Sequence, residues 1–76
     1  MDTTKTLYLR TSSGAPELWC RFSHYATNWD FPVKRVNIKG SSADVIGYVA
    51  GEGRDVTVIF DAKSLEPYKD HIKEAS

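Results

Sequence analysis

The chain is expected to be mainly β: a small single domain holding an antiparallel sheet of about five strands, curled or closed into a barrel, with a short C-terminal helix. Three observations carry this. Five short runs alternate apolar and polar residues, at about 5–10, 18–23, 33–39, 45–50 and 56–61, the period of two that a half-buried strand requires. Turn-forming residues separate the runs. After Asp61 the period changes to a helical one.

In the first run Leu7 and Leu9 oppose Tyr8 and Arg10, and in the second Leu18, Cys20 and Phe22 oppose Trp19 and Arg21. The stretch Thr11 to Pro16 between them is dense in small polar residues, so the two read as a hairpin with a generous loop. The third run sets Val36 and Ile38 against Arg35, Asn37 and Lys39, and Gly40-Ser41-Ser42 ends it. The fourth and fifth form the clearest hairpin. Gly51-Glu52-Gly53 offers two residues that accept positive φ between strands rich in Val and Ile, and Val56, Val58 and Phe60 share one face. Gly47, inside the fourth run, points to a bulge or a close backbone approach.

Beyond Asp61, Ser64 is a candidate N-cap and Pro67 falls in a first turn. Leu65, Tyr68 and Ile72 recur at i, i+3 and i+7, so a helix over about 65–74 is expected. The competing reading is one 3₁₀ turn and a short closing strand through Leu65 to Tyr68, an ending that resembles SH3-like barrels such as the Tudor and KOW modules. A small barrel of SH3-like or OB-like form is the implied architecture. The stretch His24 to Phe31 reads as a long connection holding Tyr25, Trp29 and Phe31. Such aromatics either plug the open end of the core or form a contact surface.

The 76 residues suffice for one marginal core, and 41% hydrophobic against 26% charged residues is the balance of a globular chain. A single cysteine, Cys20, excludes an internal disulfide, so packing or association, a homodimer included, must hold the domain together. Nothing reads as a secretory leader or as a membrane-crossing apolar stretch, which leads to the expectation of a soluble, cytoplasmic protein with no membrane partner. Basic residues outnumber acidic ones six to three over 1–39, and acidic outnumber basic seven to four over 40–76. That split makes a two-signed surface unless the halves interleave on folding, as those of small β domains are expected to.

Catalytic and metal-binding patterns are lacking, so no enzyme, no cofactor and no metal site are expected. Cys20, His24 and His71 are too few and too scattered for zinc, and Cys20 shares a strand face with Leu18 and Phe22, the place of a buried inert thiol. The carboxylates sit at strand ends and turns. The residues that suit recognition are aromatic and basic: Tyr8, Trp19 and Tyr48 with Arg10, Arg21 and Arg35 on a second sheet face, and Tyr25, Trp29 and Phe31 in the connection. Trp, Tyr and Arg dominate protein interfaces, while aromatic platforms edged by arginine also suit unpaired bases. Zero net charge ranks a protein partner ahead of nucleic acid. The expected role is therefore non-catalytic binding of another protein, as by the small inhibitors or adaptors that phages and mobile elements encode. The alternative is a single-strand-binding barrel.

Overall fold

Leu7, Leu18, Cys20, Phe31, Val36, Val45, Val58, Phe60 and Leu65 belong to one buried cluster, to which all six strands and the C-terminal helical segment contribute. The alternation seen in the sequence delivers this, because every second residue of each strand turns inward. In the computed structural model, which describes residues 3–12 and 14–72, the strands are β1 (Thr4–Ser12), β2 (Ala15–His24), β3 (Thr27–Pro32), β4 (Arg35–Lys39), β5 (Ser42–Val49) and β6 (Arg54–Asp61), followed by a 3₁₀ helix (Ala62–His71). They form two antiparallel three-stranded sheets, ordered β1-β2-β3 and β4-β5-β6.

This corrects the expectation of five strands in one curled sheet or barrel. The added strand is β3. The stretch read as an aromatic connection is instead a hairpin, with His24 opposite Thr27 and only Tyr25 and Ala26 between them. Tyr25 takes a φ of 53°, a conformation usually left to Gly, Asn or Asp, which is why no turn signal marks the site. The first hairpin is also tighter than expected, with pairing that runs out to Ser12 opposite Ala15.

The two sheets meet where β3 crosses β5. At Gly47 a Cβ would lie 2.3 Å from Phe31 Cδ2 and 2.4 Å from the Pro32 carbonyl oxygen, so the close-approach reading of this glycine holds. At the opposite side the edges of β1 and β6 come near each other without pairing. An open pocket of about 430 Å³ separates them, lined among others by Lys5, Leu7, Ile59, Phe60 and Tyr68. Lys5 Nζ donates to the Ile59 carbonyl and Tyr68 Oη to the Leu7 carbonyl at 2.9 Å. Side chains thus take backbone acceptors that a closed barrel would give to a ladder.

The C-terminal segment differs as well. The expected short helix is present, but it is a 3₁₀ helix over Ala62–His71 rather than about 65–74, and Ser64 is not its N-cap; Asp61 holds that position and makes no side-chain cap bond. Pro67 lies inside it, where it removes a backbone donor. The Leu65 and Tyr68 spacing of three suits three residues per turn, and Leu65 is buried while Tyr68 and Ile72 pack against the core. Residues 73 and 74 of the expected helix lie outside the described residues. No closing strand follows among those described.

The chain halves do not interleave: each sheet is a run of consecutive strands. The charge split nevertheless disappears, because the sheet boundary falls between Pro32 and Arg35. Lys34 pairs with Asp55 at 3.0 Å and Lys39 with Asp44 at 3.3 Å, which returns part of the basic surplus to the acidic half.

Candidate binding face

The outer face of the first sheet collects four of the sequence-predicted residues. Register places Tyr8 opposite Trp19 and Thr6 opposite Arg21 across β1 and β2, and Arg21 opposite Asp30 across β2 and β3. Two diagonal neighbours then stack: the Arg10 guanidinium lies 4.6 Å from the centre of the Trp19 ring, and that of Arg21 lies 5.0 Å from the centre of Tyr8. Diagonal cross-strand spacing is within reach of long side chains, and cation–π contact is worth about 0.5–1 kcal/mol at exposed sites.

Asp30 organises this arrangement. It accepts a hydrogen bond from Tyr8 Oη and lies 3.6 Å from Arg21 Nη2. Partial burial, with the adjacent Asp30 carboxylate, raises the Tyr8 pKa above its ordinary value, and Arg21 acts against that rise. Asp30 was missed by the sequence reading because its stretch was not taken as a strand. Had it been, alternation with Trp29 and Phe31 inward would have set Asp30 on the face of Arg21. Trp19 Nε1 is shielded and has no hydrogen-bond partner among the described residues.

The 3₁₀ helix does not cover this face; Leu65, Tyr68 and Ile72 turn to the core. Other predicted residues go elsewhere. Tyr48 and Arg35 stand on the outer face of the second sheet, Tyr48 opposite Asp55 and Arg35 opposite Ile46, so the six-residue constellation is divided. Phe31 is 0% exposed and belongs to the core, not to a contact surface. Trp29 turns to the same side as Phe31 and packs on Phe22, their ring centres 5.2 Å apart. Tyr25, at the tip of the β2–β3 hairpin, is 68% exposed and meets His24 edge to face.

Cys20 is buried and reduced, and burial pushes its thiol up to about 12, with Asp30 adding to the rise and Lys5 opposing it. A thiol so held is protonated near neutral pH and is a weak nucleophile. His24 Nδ1 lies 2.7 Å from Thr3 Oγ1, and among the described residues no three His, Cys, Asp or Glu side chains are grouped to hold a metal ion. No described helix is long and apolar enough to cross a membrane. No family model, curated protein or solved structure matches this chain.

Proposed function

We propose that this protein is a small non-catalytic domain that binds another protein through the outer face of its first sheet. The observation that supports this reading best is the pair of guanidinium groups already laid on Trp19 and Tyr8. Side chains ordered before binding lose less entropy on binding, and Trp, Tyr and Arg are the residues that most often dominate an interface. The same stacking disfavours the nucleic-acid alternative. A base needs an open ring face, and here both rings carry an arginine. Asp30 and Glu17 also balance Arg10 and Arg21 across the face, so a phosphate backbone meets little net attraction.

The test is capture of a partner from the native host by the tagged protein, repeated with Arg10→Ala/Arg21→Ala. Both arginines are exposed, so the double variant should keep its circular dichroism spectrum and stay folded, with a melting temperature lowered only by the loss of two cation–π contacts of about 0.5–1 kcal/mol each. It should lose a protein partner that survives nuclease treatment. A partner retained by the folded double variant, or released by nuclease, sinks the proposal.

A further inference from the structure

β1 is an edge strand of nine residues, and the direction of its backbone groups can be read from two contacts. The Leu18 carbonyl accepts a bond from the Val33 N–H at 2.9 Å, so Leu18 and Cys20 direct their backbone toward β3, and Trp19 and Arg21 direct theirs toward β1. On β1, Thr6, Tyr8 and Arg10 are therefore spent on β2. Lys5, Leu7, Leu9 and Thr11 turn their N–H and C=O groups to the open side. The bond from Tyr68 Oη to the Leu7 carbonyl agrees with this assignment.

Exposed edges invite pairing unless they are short, charged or covered, and the other three sheet edges among the described residues are so treated. β3 ends in Pro32, whose carbonyl meets Gly47 of β5. β4 has five residues, follows Lys34 and ends in Lys39. β6 has its Ile59 carbonyl taken by Lys5, and Asp55 and Asp61 stand along it. On β1, Lys5 and Tyr68 guard only the first half. From Leu9 to Thr11 nothing covers the edge among the described residues, and Leu9 is 42% exposed.

We propose that this edge pairs antiparallel with β1 of a second copy of the chain about a two-fold axis at Leu9. The side chains select both occupant and register. With Leu9 opposite Leu9 of the second copy, two backbone bonds form between the leucines and each exposed leucine covers the other. Arg10 of one copy then stands opposite Tyr8 of the other, and Thr11 opposite Leu7, whose carbonyl has a second lone pair for the incoming N–H. An axis at Arg10 sets like charges directly opposite, which destabilises, and an axis at Thr11 leaves both leucines in water. The chosen register is self-complementary, as a two-fold interface must be. It joins the two first sheets into one of six strands and carries the arginine–aromatic arrangement across the axis. So short a ladder falls below a standard interface, so the dimer is a weak one. This inference stands whether or not the outer face binds a protein.

Sedimentation velocity from micromolar to millimolar protein should show a reversible monomer–dimer equilibrium. Over the same range hydrogen exchange at the Leu9 amide should slow with concentration, while exchange at the Lys5 amide should not change. Leu9→Lys should weaken association by about tenfold or more at an unchanged melting temperature. If that variant unfolds, Thr11→Pro decides, because it removes an edge donor and leaves the β1–β2 ladder whole. A monomer throughout the range, or a dimer that persists in the folded edge variant, overturns the proposal.

Discussion

Phe31 and Gly47 are in contact where the two sheets cross: the ring of one occupies the space that a side chain on the other would need, with Cδ2 2.3 Å from an ideal Cβ. The Pro32 carbonyl closes the same space from the backbone side at 2.4 Å. A methyl group can be added only by moving β3 away from β5. Gly47→Ala should therefore destabilise by about 3 kcal/mol or more, at or above the upper end of ordinary overpacking. Urea denaturation measures this, with Gly51→Ala as the control, since a Cβ there meets nothing within 4 Å. Equal midpoints for the two variants would show that the sheets do not meet at Gly47.

Phe60 lies on the inward face of β6 and is 6% exposed. In a core this small its loss leaves a cavity that the neighbours cannot fill. Phe60→Ala should cost about 3–5 kcal/mol. A melting temperature equal to the parent's would place β6 one residue out of register.

The two tryptophans should behave differently. Trp29 packs on Phe22 at the edge of the core, so Trp29→Ala should lower the melting temperature. Trp19, under Arg10 on the outer face, should be the separable one: Trp19→Ala is expected to stay folded and to lose about 2 kcal/mol or more of partner affinity. Thermal melts followed by binding titrations of each variant check both statements. The reverse pattern would move the candidate site to the β2–β3 hairpin.

Burial raises the Cys20 thiol from the ordinary value of 9.0 to about 12. In the unfolded chain the thiol ionises first, so the stability tied to its neutral form is complete below pH 9. It is lost as pH rises toward 12. Stability of the parent should fall more steeply across that window than stability of Cys20→Val, by up to about 1.4 kcal/mol for each pH unit. Parallel pH profiles would mean that the thiol reaches water in the folded state. Ellman's reagent at pH 8 should react only after denaturant is added.

Tyr68 Oη donates to the Leu7 carbonyl across the gap between β1 and β6. Tyr68→Phe keeps the ring and removes the bond, so about 0.5–1.5 kcal/mol should be lost. Exchange at the backbone amides of β1 near Leu7 should quicken. An unchanged melting temperature would mean that water replaces the hydroxyl without cost.

Alternation and turn chemistry are local properties, and the sequence by itself determined what depends on them: the mainly β class, the inward set Leu7, Leu18, Cys20, Val36, Val58 and Phe60, and the outward placing of Tyr8, Arg10, Trp19 and Arg21. Residues two apart on a strand share a face whatever the strand pairs with. Long-range contacts decided the rest. The hairpin at Tyr25 and Ala26 has no local turn signal, so β3 exists because Phe31 finds the space over Gly47, and with β3 come the sixth strand and the place of Asp30 beside Tyr8 and Arg21. Between β1 and β6 no ladder forms; there Lys5 and Tyr68 reach the carbonyls of Ile59 and Leu7, residues more than fifty positions away in the chain. Tyr48 and Arg35 parted from the other four because β4 and β5 pair in the second sheet. Alternation tells which side of a strand a residue takes, and only tertiary packing tells which sheet that strand joins.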